Sequence, residues 1–327
     1  MKYIQYDKTG DPADVLMIKN ATAQLLSSGE VRVRVLAAPI HPANLLQISG
    51  EYGIAPELPA NPGGEGVGRV VEVAPDVAHL AIGQRVMLAG GATWREEIVA
   101  PAAAFVPLPD VGDVEQMSML TVNPLTAHLI LSNFVDLNAG EWIIQSAANS
   151  AVGEYLIQLA KERGLKTVNI VRRESLIPEL ETLGADVVLT DGPDLAERVA
   201  EATSNAPISM AVDAVGGVTF TQMVECLAFG GTIVAYGSLS KKPPVLNSIA
   251  TIFNDVRVRG FWLQKWFETT SDEDRQAAFG AIIPLIASGA LKAKIDSRFA
   301  IEDIAAAVTR AAESGRSGKV ILIPNQE

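Results

Sequence analysis

The residues best suited to chemistry lie between Gly140 and Arg173, where a loop of small residues is followed by two arginines. WIIQS and KTVNIV are short apolar runs typical of buried parallel strands. Between them, GEYLIQLAKERG places its apolar residues at helical spacing, and Gly164 ends the predicted helix. The order strand, loop, helix, strand is that of a nucleotide-binding βαβ unit.

Arg172 and Arg173 follow directly after the second of these strands. A dinucleotide fold that prefers NAD has an acidic residue at this point, about 20 residues after the loop, to bind the ribose 2′-hydroxyl. Two cations suit a 2′-phosphate instead, because a guanidinium can bind phosphate through two parallel hydrogen bonds. The pair therefore predicts an NADPH site, and the alternative is an ordinary solvated strand end.

The loop SAANSAVG departs from the G-x-G-x-x-G pattern, since serine, asparagine and alanine stand where glycines are more usual. Its backbone N–H groups and the start of the following helix still present positive dipole ends to a pyrophosphate. The Asn149 amide and the Ser150 hydroxyl add donors. The sequence predicts cofactor contacts from Asn149, Ser150, Ala151 and Val152.

Two tyrosines are candidates for a role in chemistry. Tyr236 follows the apolar run GGTIVA, and ligands bind at the carboxyl ends of strands in open α/β sheets, so it is expected beside the nicotinamide ribose. Tyr52 lies in a loop rich in Gly and Pro, residues 46 to 68. A tyrosine in such a loop is usually a surface aromatic, but a phenol in a dry cleft can act as a general acid.

The remaining polar candidates are a lysine and three histidines. Lys319, beside a glycine turn in GRSGKVIL, has the usual character of a solvated charge, and the alternative is a nucleotide contact. His41, His79 and His128 share no metal-binding spacing and are expected to be structural. Lys241, Lys242 and Lys265 are candidate phosphate contacts with solvation as the ordinary alternative.

Composition restricts the class of protein. The 327 residues are enough for two domains, and a net charge of −12 argues against a nucleic-acid-binding surface. The single cysteine, Cys226, excludes an intramolecular disulfide and a cysteine-based structural zinc site. No apolar run has the length of a membrane span, and the opening MKYIQYDKTG has no signal core. We expect a cytoplasmic protein that binds neither nucleic acid nor membranes.

Three regions differ in texture along the chain. Residues 1–117 are rich in strands, Pro and Gly, and predict an irregular β-barrel domain. Residues 118–261 alternate strands with helices, which predicts a doubly wound parallel sheet. Residues 262–327 are expected to return to the first domain. The run VRVRGFWL, residues 256–263, resembles the last strand of the parallel sheet, and an exposed apolar edge favours pairing with a second copy.

Several separate strings resemble the medium-chain dehydrogenase/reductase superfamily, and most closely its mitochondrial-type 2-enoyl thioester reductases, across nearly the whole chain. They are GEYGIAPELPANPGGEGVG, TVNPLTAH, GEWIIQSAANSAVG, KTVNIVRR, VAYGSL and VRGFWLQKW. The resemblance implies an α/β fold with a GroES-like β-barrel domain and a Rossmann domain. Zinc-dependent members carry a cysteine in the first barrel loop, which here is HPAN, so the resemblance implies a zinc-free enzyme with no bound metal.

The resemblance also implies a reaction: NADPH-dependent reduction of 2-enoyl thioesters, with hydride added at the β-carbon and a proton at the α-carbon. Tyr52 inherits the role of catalytic acid, and Asn123 that of a residue lining the nicotinamide pocket. Arg172 matches the 2′-phosphate arginine. Trp262 matches part of the acyl-pocket wall, Lys319 matches a position near the cofactor, and Phe261 and Trp262 are both expected to contact the cofactor.

Two departures from the family bear on cofactor affinity. The family usually has arginine, aspartate, arginine where this chain has Arg172, Arg173 and Glu174, and it usually has glycine at Ala151. Three functions stay open: the enoyl thioester reductase, a zinc-independent NADPH:quinone or enone oxidoreductase, and a cofactor-binding protein without turnover. For the first two we expect an active site between the two domains and a two-fold dimer through residues 256–263.

Overall fold

The computed structural model describes residues 1–325, which form two compact units. One unit comprises Met1–Val122 together with the chain from Ala281 onwards, and the other comprises Asn123–Gly280. The domain limits expected from sequence, 1–117, 118–261 and 262–327, stay predictions. None of the helices within residues 1–325 is long and apolar enough to cross a membrane.

The first part of the chain is mainly strands. Its elements are β1 (Lys2–Gln5), α1 (Pro12–Val15), β2 (Met17–Asn20), β3 (Glu30–Pro39), α2 (Pro42–Ser49), β4 (Glu65–Val73), β5 (Arg85–Ala89), β6 (Glu97–Pro101), β7 (Phe105–Pro107) and α3 (Val114–Met117). Helix α2 starts with Pro42, which tolerates the first turn, and ends at Gly50 with φ 80°, a left-handed conformation that glycine adopts readily.

The middle of the chain alternates strands and helices. Its elements are α4 (Asn123–Asn133), β8 (Trp142–Gln145), α5 (Ala151–Glu162), β9 (Lys166–Val171), α6 (Ile177–Leu183), β10 (Val187–Thr190), α7 (Leu195–Ala202), β11 (Ile208–Asp213), α8 (Gly217–Glu225), β12 (Thr232–Ala235), α9 (Ser248–Phe253), β13 (Arg257–Gly260) and α10 (Leu263–Thr269).

The end of the chain holds α11 (Asp272–Ala287), β14 (Ile295–Phe299), α12 (Ile304–Ala312) and β15 (Lys319–Leu322). In the first unit a sheet runs in the order β14-β15-β3-β4-β5-β7, and β6 pairs with β3. Val31, Val33 and Val35 of strand β3 are completely buried and belong to the hydrophobic core of the first unit. Arg32 is buried as well, and its guanidinium pairs with Glu72 at 2.8 Å.

The second unit is built on a six-stranded parallel sheet in the order β10-β9-β8-β11-β12-β13. The doubly wound sheet predicted from the sequence is confirmed. From β8 the chain adds β9 and β10 on one side, and from β11 it adds β12 and β13 on the other. The strand order therefore reverses between β8 and β11, which is the switch point of the sheet. Ligands of such sheets bind at the carboxyl ends of the strands beside this point.

Strand β13 lies at one edge of that sheet, paired on one side with β12 in parallel. All four of its residues are exposed. The neighbouring helix α9 exposes Ile249, Ile252 and Phe253 by 68%, 71% and 72%. An edge strand with unpaired backbone groups and apolar neighbours is the type of surface that another chain can extend.

Candidate functional site

The turn between β8 and α5 presents backbone N–H groups at the carboxyl edge of the parallel sheet. Ser150 precedes the first residue of α5, and its hydroxyl accepts a hydrogen bond from the Gly153 N–H at 3.2 Å. Serine favours this capping position because its oxygen satisfies one of the unpaired N–H groups of the first turn. The other N–H groups of that turn and the helix dipole favour a negatively charged group.

Two positions explain how this turn works with so few glycines. Ala147 adopts φ 49°, a left-handed conformation usually occupied by glycine. Gly153 is retained where helix and loop meet, because a Cβ there would lie 2.5 Å from the Ala148 carbonyl oxygen. Ala151, where the family usually has glycine, is the first residue of α5 and has no positive φ. Alanine is therefore compatible with the observed backbone at position 151.

Arg172 lies in an open hollow at the carboxyl ends of β9 and β10. The hollow has a volume of about 520 Å³ and is lined by Arg172, Asp191, Gly192, Pro193, Val218 and Gln222. Arg172 and Arg173 are exposed, and within residues 1–325 no carboxylate forms an ion pair with Arg172. Its guanidinium therefore keeps its donors for a ligand on this side of the switch point.

A second hollow, of about 550 Å³, lies on the other side, where β12 and β13 end. It is lined by Asn133, Phe134, Ala235, Arg259, Gly260, Phe261, Trp262, Lys265 and Trp266. The Arg259 guanidinium stacks over the Phe134 ring at 5.5 Å. Apolar rings with cations at the rim suit a ligand that is partly aromatic or aliphatic and partly anionic.

Tyr236 and Asn123 place polar groups in buried positions of the second unit. The Tyr236 hydroxyl lies near Ser150; burial raises the pKa of Tyr236, and the Ser150 hydroxyl opposes that rise. Tyr236 thus lies next to the turn at the start of α5. Asn123, the first residue of α4, is 5% exposed, and its Nδ2 has no hydrogen-bond partner in the described chain. A buried donor without a protein partner is uncommon, and a ligand or a water molecule can satisfy it.

Tyr52 belongs to the first unit and follows α2 closely. Its backbone N–H donates to the Leu46 carbonyl at 3.0 Å, and the side chain is half-buried. The backbone at Tyr52 is therefore fixed by the end of α2. Of the twelve site residues predicted from sequence, Tyr52 and Lys319 lie in the first unit and the others in the second.

Of the two roles weighed for Lys319, the solvated charge is wrong, because the side chain is only 4% exposed, and the cofactor contact stays a prediction. Its ammonium donates to His41 Nδ1 at 2.8 Å, and His41 Nε2 lies 2.7 Å from Glu65 Oε1. Sequence reasoning missed Glu65 altogether. The three residues are far apart along the chain, so no spacing pattern links them.

Comparison with known proteins places these features in a family. A family model described as the alcohol dehydrogenase GroES-like domain matches residues 27–110, and one described as zinc-binding dehydrogenase matches residues 151–279. Enoyl-[acyl-carrier-protein] reductase, mitochondrial, of Xenopus tropicalis is 38% identical over 97% of this chain and 94% of its own length. The enzyme of that name from Rattus norvegicus is 36% identical over 98% of this chain and 88% of its own length.

The chain belongs to the medium-chain dehydrogenase/reductase superfamily. The resemblance found from the sequence strings, to its mitochondrial-type enoyl thioester reductases, is confirmed. The chain is an oxidoreductase of the superfamily, with a GroES-like domain and a Rossmann-type sheet.

Solved structures of superfamily members share the whole fold. A candidate NADPH:quinone reductase of Bacillus thuringiensis has a TM-score of 0.90 and 31% identity, with 99% of both chains covered. The Etr1p/NADP/crotonyl-CoA complex has a TM-score of 0.89 and 25% identity, with 98% of this chain and 99% of that chain covered. The Etr1p/Etr2p heterodimer of mitochondrial 2-enoyl thioester reductase from Candida tropicalis gives the same four values.

One of the matched family models carries zinc in its description, which makes the metal-binding capacity of this reductase relevant. In the described part of the chain, no group of three or more His, Cys, Asp or Glu side chains has an arrangement that could hold a metal ion. His41 opens the HPAN loop, where zinc-dependent members of the superfamily carry a cysteine. Its ring already contacts Lys319 and Glu65.

Proposed function

We propose that this reductase uses NADPH to reduce the 2,3 double bond of 2-enoyl thioesters, whether coenzyme A or acyl-carrier-protein esters. The observation that carries the proposal is the match, over 97% of the chain, to a relative named enoyl-[acyl-carrier-protein] reductase. The similar structure that contains NADP and crotonyl-CoA supports the same ligand pair.

The residues of the second unit fit NADPH. The capped start of α5, with Asn149, Ser150, Ala151 and Val152, would hold the pyrophosphate. Arg172 would bind the 2′-phosphate in the hollow that it lines, with Arg173 beside it in the chain. Glu174 adds a negative charge next to this pair, so the two arginines must outweigh it.

Further polar groups fit the other end of the cofactor. The unpartnered Nδ2 of Asn123 would donate to the nicotinamide carboxamide. Tyr236 would contact the ribose and phosphate side, since its hydroxyl lies near Ser150. Phe261 and Trp262 line the apolar hollow where nicotinamide or acyl groups would be excluded from water.

When bound, NADPH supplies the hydride that goes to the β-carbon of the substrate. The protein must then stabilise the negative charge that develops on the thioester oxygen and deliver a proton to the α-carbon. Tyr52 is the proposed acid, because a positioned phenol O–H can donate a proton to a carbanion-like centre. The substrate gains one hydride and one proton and loses no group, so a single acid is sufficient.

Tyr52→Phe tests the role of the acid. The variant is expected to bind NADPH within about twofold of wild type and to lose roughly 100-fold or more of its kcat with crotonyl-CoA. Tyr3→Phe is the matched control, since Tyr3 belongs to the same unit. The Arg95 guanidinium lies 5.7 Å from the centre of the Tyr3 ring, a contact that does not involve the hydroxyl. Full crotonyl-CoA turnover by Tyr52→Phe would exclude Tyr52 as the acid.

A zinc-independent NADPH:quinone or enone oxidoreductase is the second candidate. It is favoured by the 31% identity and 0.90 TM-score of the candidate NADPH:quinone reductase structure. Such a reaction needs no tyrosine acid, because a quinone accepts hydride readily. Quinone turnover that Tyr52→Phe leaves unchanged, with no turnover of crotonyl-CoA by wild type, would establish this candidate instead.

We further propose a homodimer through residues 256–263. The exposed edge strand β13 and the exposed apolar residues Ile249, Ile252 and Phe253 of α9 support it, and one similar structure is a heterodimer. A monomeric mass by light scattering at micromolar concentration would contradict it. A cytoplasmic location stays a prediction, and the curated relatives are named as mitochondrial enzymes.

A further inference from the structure

Three ionisable side chains meet in the interior of the first unit. His41 immediately precedes α2, Glu65 is the first residue of β4, and Lys319 is the first residue of β15. They are 4%, 0% and 4% exposed. Charged side chains are almost never buried to this degree unless they are paired. The hydrogen bonds that join the three residues therefore affect the charges of both Lys319 and Glu65.

His41 stands between the cation and the anion. The Lys319 Nζ lies 2.8 Å from His41 Nδ1, and His41 Nε2 lies 2.7 Å from Glu65 Oε1. An ammonium can only donate, so Nδ1 accepts and the imidazole proton is on Nε2, where it is donated to the carboxylate. Burial, together with the positive charge of Lys319, lowers the pKa of His41, which keeps the ring neutral.

The connection continues from Glu65 to the backbone. The second carboxylate oxygen, Oε2, accepts hydrogen bonds from the Thr121 hydroxyl and from the Val122 N–H, both at 2.8 Å. The next residue along the chain is Asn123. The path from Lys319 to Val122 thus consists of hydrogen bonds among buried side chains and ends at a partly buried N–H, and buried hydrogen bonds are weakly screened.

The charge of Lys319 is sensitive to pH near neutrality. Burial lowers the pKa of Lys319 to about 7, while Glu65 opposes the decrease and Arg316 adds to it. The same three groups, Lys319, Glu65 and Arg316, are the charges that act on His41. When the ammonium loses its proton, Glu65 loses the cation that balances it through the imidazole.

We propose that His41 is a positioning residue that transmits the charge of Lys319 to Glu65 and, through Glu65, to the backbone that leads into Asn123. NADPH binding then weakens when Lys319 loses its proton. The second statement rests on the proposed function, since it takes NADPH as the ligand, whereas the hydrogen-bond order of the three residues does not. The two statements are tested separately.

The hydrogen-bond order is tested by nitrogen-15 NMR of histidine-labelled protein. The chain has three histidines, and the His41 ring signals are assigned by their disappearance in His41→Gln. We expect a neutral ring with the proton on Nε2 at pH 6, with exposed His79 as the reference in the same spectrum. A proton on Nδ1, or an imidazolium at pH 6, would overturn the proposal whatever the enzyme reduces.

The functional link is tested by NADPH fluorescence titrations from pH 6 to pH 9. We expect the wild-type Kd to rise roughly fivefold or more with pH. His41→Gln keeps an amide that accepts from Lys319 and donates to Glu65, so it should retain this dependence. His41→Leu should weaken binding at pH 6 by roughly fivefold or more and remove the dependence. His79→Gln is the control.

Wild-type pH dependence in a folded His41→Leu variant would overturn the link. If that variant does not fold, Lys319→Met decides, because it removes the charge itself; a pH dependence retained in Lys319→Met overturns the link. If wild type binds NADPH but reduces no enoyl thioester, the proposed function fails while these titrations still stand. A wild-type protein that does not bind NADPH overturns the link and leaves the NMR result to decide the hydrogen-bond order.

Discussion

The Ser146 hydroxyl donates a hydrogen bond of 2.7 Å to Asp213 Oδ1, which joins the ends of the two central strands of the parallel sheet. Asp213 is fully buried and also accepts from the backbone N–H groups of Val215 and Gly216, at 3.1 and 2.8 Å. One carboxylate therefore shapes both loops at the point where the strand order reverses. Binding of a ligand at this point therefore depends on loops that Asp213 holds in place without the ligand.

Replacing that carboxylate should weaken both the fold and cofactor binding. In Asp213→Asn the amide nitrogen cannot accept, so one or more buried N–H or O–H donors lose their partner, at a cost of about 1–3 kcal/mol each. Urea unfolding of the variant and an NADPH titration measure the two effects. The control is Asp76→Asn, because Asp76 makes similar contacts to Ser28 and Gly29 but is exposed. Equal losses in the two variants would contradict the role given to burial.

Arg172 should select NADPH over NADH. Arg172→Ala removes a charge-assisted interaction with the 2′-phosphate, of about 1.5–3 kcal/mol, which corresponds to roughly 10- to 100-fold in Kd. The Kd for NADH should stay within about twofold, because NADH has no phosphate at that position. Lys161→Ala, at the other end of α5, is the control for a general change in charge. A parallel loss of affinity for both cofactors would rule out this role.

Gly153 and Gly280 form a matched pair of helical glycines. A Cβ at Gly153 would lie 2.5 Å from the Ala148 carbonyl oxygen, whereas a Cβ at Gly280 would have nothing within 4 Å. Gly153→Ala should lower the free energy of unfolding by about 1–3 kcal/mol through overpacking. Gly280→Ala should raise it by roughly 0.5–1 kcal/mol, because alanine favours the helix. Urea unfolding midpoints measure both, and a stabilised Gly153→Ala would contradict the packing.

Lys319 should give the first unit a stability that rises with pH. Its pKa is lowered to about 7 by burial, whereas an unfolded lysine has its ordinary value of 10.5. Between these values the unfolded chain binds one more proton, so unfolding becomes harder by up to about 1.4 kcal/mol per pH unit; below pH 7 the penalty is complete. Urea unfolding at pH 7 and pH 9 measures the slope. Lys319→Met should remove this contribution, and an unchanged slope would show that Lys319 is not its source.

Much of the second unit was predictable because the sequence signals for its strands, turns and helices are local. The run from Trp142 to Val171 contains strand, turn, helix and strand signals in sequence order, and the structure has β8, α5 and β9 there. The apolar character of residues 256–263 likewise predicted an edge strand, and β13 occupies that edge. Period and turn chemistry suffice for such elements.

The buried charges of the first unit were not predictable in the same way. His41 and Lys319 are 278 residues apart, and the pairing of β15 with β3 brings their neighbourhoods together. A lysine beside a glycine turn has no local signal for burial, so neither of the roles weighed for Lys319, a solvated charge or a cofactor contact, included its contact with His41. Glu65, in a glycine-rich stretch, carried no signal of its role as acceptor for Thr121 and Val122.

The most direct test of the central claim is the steady-state rate of NADPH oxidation with purified wild-type protein. Crotonyl-CoA and longer 2-enoyl-CoA esters would be compared with 1,4-benzoquinone under the same conditions. We predict that kcat/KM for the best enoyl-CoA exceeds that for the quinone by roughly 100-fold or more, which is about 2.7 kcal/mol of transition-state discrimination. Rapid quinone reduction with no measurable oxidation of NADPH by any enoyl-CoA would contradict the account.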